Sequence, residues 1–430
     1  MGCAKNEVDS AHMAARLVEA GYSVVEDAAQ ADAIIVNTCS FIQAATEESI
    51  EAILDAAELP SVERGEAHLI VAGCMPARYG DDLAGELSEA CAFVPCSRED
   101  DIVAIVDGVF GIDRRAQNPL EGAEQSGQAT TGAAAEPSAY VKISDGCDRF
   151  CSYCTIPFIR GRYHSYPYKQ IADETEGLIE QGVREIVLIA QDTGRWGNDL
   201  EEPSSLAQLV SDLAERFPDT WFRLMYIQPE GITDELIEAV AEHRNICDYF
   251  DIPLQHSQPH ILSAMNRRGS AEEFDALMKR VRERIPDATL RTTLIAGFPG
   301  ETDEDFDELC AFVENASFDY VGVFPYSREE GTRAYAMDAQ IDEEEKSYRA
   351  QRLRDIADGV CAAQVAERIG KMMDVLVCGS EEDGQLYGRA MCQAPEVDGV
   401  TYLDGGTVGQ IVTVSIVDTF MYEMEGEVLA

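Results

Sequence analysis

The chain of 430 residues is 46% hydrophobic, enough for two or three domains with separate cores, so it reads as globular. Its 80 acidic residues against 33 basic ones, six of them lysine, give a formal net charge of −47. Such a field opposes nonspecific binding to nucleic acid and suits a basic protein partner, although a salty cytoplasm calls for the same excess. No basic-then-apolar leader opens the sequence and no run of eighteen apolar residues interrupts it, which argues against a membrane span and for a cytoplasmic protein.

In chain order, AHMAARLVEAG reads as a helix closed by Gly21, ADAIIVNTC as a buried strand and EESIEAILDAAE as a helix; HLIVAGC is a second strand and DDIVAIVDGVF a further helix. Short apolar runs alternating with amphipathic helices imply a parallel sheet covered on both faces, an α/β domain over residues 1–113. The stretch from Gln117 to Ser138 is rich in Gly, Ala, Gln, Thr and Ser without an apolar period, so residues 114–138 read as a flexible linker. Over residues 139–369, six candidate strands (AYVKI, REIVLIA, WFRLMYI, YFDIPL, TLRTTLIAG and YVGVFPY) alternate with helices. They predict a partial (β/α) barrel with its site at the strands' C-terminal ends. A long charged helix closes that region. Over residues 370–430 the period turns strand-like, and five short strands predict a small antiparallel β-barrel.

Thirteen cysteines in a chain without an export signal point to metal or redox chemistry rather than disulfides. GCDRFCSYC places Cys147, Cys151 and Cys154 in C-x3-C-x2-C spacing just after the first strand of the central domain. Three thiolates on one loop hold three irons of a [4Fe–4S] cluster and leave the fourth open to another ligand. A structural zinc site is the alternative; it wants a fourth ligand, for which His164 is the local candidate. A second trio comes from the crevice rule for open α/β sheets: Cys39 and Cys74 end predicted parallel strands, and Cys3 heads the first helix. Cys91, Cys96, Cys247, Cys310, Cys361, Cys378 and Cys392 lack such spacing and read as packing residues.

The C-x3-C-x2-C motif, with Tyr153 before its last cysteine, resembles that of the radical S-adenosylmethionine enzymes. The resemblance implies that S-adenosylmethionine chelates the open iron and is cleaved reductively to a hydrogen-abstracting radical. LIAQDT, with Gln191 and Asp192, IPLQHS, with Gln255 and His256, and IAGFPGET, with Gly297 and Gly300, each follow an apolar run. Singly each is ordinary turn chemistry; together with Tyr153 they resemble the superfamily's cofactor-binding elements.

The three domains together resemble the methylthiotransferases, and the stretches GCAKNEVDS, VNTCSFI, RLMYIQPEGITDELIEAV, GVFPYSREEGT and QAPEVDGVTYL are similar to their RimO family. That resemblance implies a flavodoxin-like N-terminal domain, a radical S-adenosylmethionine barrel and a TRAM-like C-terminal barrel. It also implies two [4Fe–4S] clusters, one on Cys3, Cys39 and Cys74 and one on Cys147, Cys151 and Cys154. The implied substrate is an aspartate of small-subunit ribosomal protein twelve, methylthiolated at its β-carbon, with an electron donor such as a flavodoxin or ferredoxin. The alternatives are a tRNA adenosine methylthiotransferase and a non-catalytic metal-binding scaffold. From Lys371 onward there are two basic residues against eleven acidic ones, which suits a basic protein substrate better than tRNA phosphates. Since only Met1 and Gly2 precede Cys3, the first strand of a flavodoxin-like sheet is expected upstream of this sequence, and its lack would leave a slot between its neighbours.

Overall fold

Parallel strands form where β-branched and aliphatic residues run together and are covered on both faces. In the computed structural model, which describes residues 2–113 and 136–429, the predicted elements recur in order. The expected linker lies outside the described residues except for its last three. Two units are formed: residues 2–113 with Gly146–Asp148 and Cys154–Arg162, and residues 136–145, Arg149–Tyr153 and 163–429.

The first unit runs through helix α1 (Ala4–Glu19), strand β1 (Ala33–Thr38), helix α2 (Gln43–Ala57), strand β2 (His68–Gly73), strand β3 (Ala92–Pro95) and helix α3 (Ile102–Phe110). The four residues of β3 are too few to show a period, so sequence reading passed over it. The parallel sheet has the order β1-β2-β3, and β1 pairs with β2 residue for residue from Ala33↔His68 to Thr38↔Gly73. The expected slot therefore does not occur between the described strands. Alternation along β2 splits the core: Ile70 and Ala72 pack with Met13, Leu17, Val94, Ile102 and Val106, while Leu69 and Val71 pack with Ile53, Met75 and Leu83.

The second unit contains the six central strands: β4 (Ser138–Lys142), β5 (Glu185–Ile189), β6 (Trp221–Leu224), β7 (Tyr249–Asp251), β8 (Thr289–Ala296) and β9 (Tyr320–Pro325). They form two parallel ladders, β4-β5-β6 and β7-β8-β9, joined by a bridge between Phe222 and Ile246 and by Ile227 N–H donating to Asp251 C=O at 3.0 Å. Helices between them start where Ser205, Thr233, Ser270 and Thr302 accept a backbone N–H three residues on, and Asp342 caps the long helix Glu343–Ala366 in the same way. The five predicted C-terminal strands, β10 (Met372–Ser380), β11 (Leu386–Ala390), β12 (Thr401–Leu403), β13 (Ile411–Phe420) and β14 (Glu423–Val428), close a barrel in the order β10-β11-β12-β14-β13. All pairs are antiparallel except β12 with β14.

Buried ion pairs seat this barrel on the central strands. Glu185 of β5 accepts from Arg223 of β6 at 2.8 Å and pairs with Arg389 of β11 at 2.7 Å, and Arg223 also donates to Met391 C=O at 2.7 Å. Tyr249 of β7 donates to Asp398 at 2.6 Å, and Arg368 pairs with Asp319. Among the described residues, no helix is long and apolar enough to cross a membrane.

Burial alone would raise the Glu185 carboxyl, but Arg389 and Arg223 outweigh it and hold it at about 2. Its stabilising contribution is complete above the ordinary glutamate value of 4.5 and is lost as pH falls from there toward 2. Glu185→Gln leaves two buried guanidinium groups without their counter-charge and is expected to cost about 3–5 kcal/mol in urea unfolding at pH 7. The variant should also show a shallower loss of stability between pH 5 and pH 3 than the wild type.

Candidate metal and cofactor site

Each strand of the N-terminal sheet stops where a cysteine begins. Thr38, Gly73 and Pro95 share one row of the ladder, so Cys39, Cys74 and Cys96 follow at three adjacent tips. Gly73 makes the turn into the short helix Cys74–Tyr79 at φ +95°, where a Cβ would stand 2.2 Å from Asn37 Oδ1 and 2.6 Å from Thr38 C=O. Cys3 is the N-cap of α1, and one turn on, buried Asn6 gathers the site. The Asn6 Oδ1 lies 3.8 Å from Cys3 Sγ, 3.7 Å from Cys74 Sγ and 2.9 Å from Arg160 Nη2, and its Nδ2 donates to Thr38 C=O at 2.8 Å. Cys39 and Cys74 are buried and Cys3 is exposed.

Arg160 supplies a positive charge to this group. It donates to Asp9 at 2.8 Å, both side chains being 2% exposed, and lies 3.7 Å from Cys74 Sγ. Hydrogen bonds from Cys39 and then Cys96, with the Arg160 charge, hold the Cys74 thiol far below the ordinary cysteine value. Donating that bond to Cys74, together with burial, pushes Cys39 up. Among the described residues, no three Cys, His, Asp or Glu side chains close around a single ion. Thiols presented from separate tips suit a polynuclear cluster, whose irons stand at separate corners, better than one tetrahedral zinc.

The C-x3-C-x2-C loop is divided between the two units. In the first, Cys147 is buried and its N–H donates to Gly161 C=O at 3.2 Å, and Thr155 Oγ1 donates to Phe41 C=O at 3.2 Å. In the second, Asn266 donates to the carbonyls of Arg149 and Phe150 at 2.9 and 3.1 Å, and Ser152 N–H donates to Met265 C=O. Phe150 is thereby held at φ +49°, and Arg267 hydrogen-bonds Cys151. The Arg160 guanidinium beside Cys74 favours thiolate, the form that binds iron.

Among the described residues, the C-terminal rim of the central strands carries buried polar atoms without a partner: both ends of the Gln191 amide after β5, Gln228 Oε1 after β6 and Ser257 Oγ after β7. Native interiors rarely leave such groups unsatisfied, so a rim of them fits a polar cofactor such as S-adenosylmethionine. The other rim residues singled out from sequence have partners within the fold. Asp192 accepts two bonds from Arg149, at 2.6 and 3.2 Å, and Arg149 reaches Glu230 at 2.9 Å. Gln255, at φ +75°, exchanges backbone bonds with Thr293 and Ile295, and Tyr153 packs against the core. His256 Nε2 lies 3.2 Å from Glu301 Oε2. Gly297 N–H donates to both oxygens of Glu301 at 3.0 Å, and a Cβ on it would meet Lys346 Cγ at 2.4 Å. Gly300 N–H donates to Ala339 C=O.

Sequence reading missed Asn6, Arg160 and Cys96. Asn6 lies inside the quoted GCAKNEVDS and is one helical turn from Cys3, a signal that spacing alone carried. Cys96 is corrected from a packing residue to a neighbour of the site, 3.9 Å from Cys74 Sγ, because the short β3 that delivers it was not recognised. Cys91 is likewise exposed rather than packed.

Residues 141–313 match the model of the Radical SAM superfamily, 1–94 that of Uncharacterized protein family UPF0004, and 369–429 that of the TRAM domain. The chain is 41% identical to the ribosomal protein uS12 methylthiotransferase RimO of Geobacter sulfurreducens, covering 100% of this chain and 97% of that relative. It is 41% identical to the protein of the same name from Thermosynechococcus vestitus, covering 99% and 95%. Of solved structures, the radical S-adenosylmethionine methyltransferase TsrM of Kitasatospora setae, with cobalamin and a [4Fe–4S] cluster bound, has a TM-score of 0.51 at 15% identity over 70% of this chain and 63% of that one, a likeness of fold.

Arg160→Met breaks the buried ion pair with Asp9 and is expected to destabilise the protein by about 3 kcal/mol. Adding Asp9→Leu should recover most of that loss in thermal unfolding.

Proposed function

Because the chain belongs to the RimO family of radical S-adenosylmethionine methylthiotransferases, we propose that it adds a methylthio group to the β-carbon of an aspartate in small-subunit ribosomal protein uS12. In this reading one [4Fe–4S] cluster is held by Cys147, Cys151 and Cys154 and a second by Cys3, Cys39 and Cys74. With S-adenosylmethionine bound, the first supplies the electron that generates a hydrogen-abstracting radical, and the second supplies a seat for the sulfur to be transferred.

The residues of the chain then divide the work. Arg160 favours the thiolate of Cys74, Arg267 lies beside Cys151, Asn6 orients Cys3 and Cys74, and the Gln191, Gln228 and Ser257 groups offer hydrogen bonds to the cofactor. Asp192 accepts two bonds from Arg149 and so orients it at the base of the motif loop. The observation that carries the reading is Arg160. It lies six residues beyond Cys154, at the end of the short helix Ile156–Ile159, and stands 3.7 Å from Cys74 Sγ, so the segment that continues the C-x3-C-x2-C motif contributes a charge to the Cys3, Cys39 and Cys74 group.

Charge supports a basic protein as substrate. Of the two basic residues in the C-terminal barrel region, Arg389 is buried against Glu185 and Lys371 pairs with Asp287 at 2.8 Å, so the barrel offers no basic stripe to nucleic acid. A flavodoxin or ferredoxin is the expected electron donor, and the cytoplasm the expected place of action.

The test is the mass of uS12 from cells with and without this gene. A methylthio increment that requires the gene supports the proposal, whereas an unmodified uS12 beside a modified tRNA overturns it. Anaerobic reconstitution should load about eight irons per chain, falling to about four in a Cys3/Cys39/Cys74→Ala variant. That variant should still cleave S-adenosylmethionine reductively yet transfer no methylthio group, while Cys147→Ala should do neither.

A further inference from the structure

Cys96 belongs to neither cysteine trio, yet its Sγ lies 3.9 Å from that of Cys74. Both residues stand one position beyond Gly73↔Pro95, the last paired row of β2 and β3. Neighbouring strands run about 4.8 Å apart, within the roughly 4.4–6.8 Å that a disulfide spans between Cα atoms, and the two sulfurs already lie 3.9 Å apart. Cys39 flanks Cys74 from β1, but it is buried, as is Cys74, whereas Cys96 is partly open to solvent.

We infer that Cys74 and Cys96 form a thiol–disulfide pair that closes when the N-terminal site carries no cluster and must be reduced before that site is filled. The oxidant is a small-molecule disulfide of the glutathione class. One thiol of the pair attacks it, releasing one thiol and leaving a mixed disulfide; the other then displaces the second thiol and closes the Cys74–Cys96 bond. Two thiol protons and two electrons pass to the oxidant, which leaves as two thiols. While the bond stands, Cys74 is withheld from iron, and the site keeps only Cys3 and Cys39. The existence of the pair rests on the geometry alone; its effect on loading rests on the proposed ligand role of Cys3, Cys39 and Cys74.

The experiment uses the full-length chain, stripped of iron anaerobically, treated with oxidised glutathione, alkylated and digested without reductant. Mass spectrometry is expected to find a peptide joining Cys74 to Cys96, absent from Cys96→Ser and Cys96→Ala. Reconstituted with iron and sulfide but no thiol reductant, oxidised wild type should bind about half the iron of the reduced protein, while both variants load fully either way. Full loading of the reduced variants shows that their sites still assemble. A peptide joining Cys74 to Cys39 or Cys3 instead, or equal iron uptake by oxidised and reduced wild type, overturns the inference. If reduced wild type itself binds only one cluster's iron, the ligand assignment fails, and the linked peptide alone then decides whether the pair exists.

Discussion

In-register parallel pairing of β1, β2 and β3 places Thr38, Gly73 and Pro95 in one row, and the N-terminal site follows from it. Parallel strands all point the same way, so whatever residue follows each of them is delivered to the same edge of the sheet. Here that residue is cysteine three times. A shift of one position in any strand would turn its terminal thiol to the other face. The row also explains Gly73, since the chain must leave β2 beside the Thr38 carbonyl without a Cβ in the way. Asn6 and Arg160 then complete the group from outside the sheet, one holding the thiols in place and the other holding charge against them.

The second unit solves a different problem: fixing a small barrel to a larger set of strands. Apolar contact alone would let such surfaces slide, whereas the Arg223–Glu185–Arg389 and Tyr249–Asp398 contacts fit in one arrangement. These groups are fully buried and costly to desolvate, so their contribution lies as much in defining the position as in stabilising it. Their use inside the protein also removes Arg389 from the barrel's surface. The acidic character of the face left to solvent is thus partly a consequence of how the barrel is attached.

Much of this was legible in the linear chain. The six central strands and the five of the barrel each announce themselves by β-branched runs between turn residues, and C-x3-C-x2-C is a local spacing that survives any packing. Cys3, Cys39 and Cys74 were legible because strand ends could be read from apolar runs stopping at NTC and AGC. Family resemblance added the cofactors and the substrate class, which no periodicity carries. The rim was legible only in outline. Gln191 proved to have an unsatisfied amide, while Asp192 and Gly297 turned out to serve Arg149 and the close approach of Lys346.

By itself, then, the sequence determined the order and kind of the elements and where the cysteines fall along them, because hydrophobic period, turn chemistry and cysteine spacing are local properties. Only the tertiary structure decided that Cys96 sits against Cys74, that Arg160 reaches back from the C-x3-C-x2-C loop to Asn6 and Asp9, and that Glu185 is shared by two arginines from distant segments. Each of those contacts joins residues far apart in the chain or hangs on a strand of four residues. Their positions follow from how ladders register and surfaces pack, which no window of sequence records.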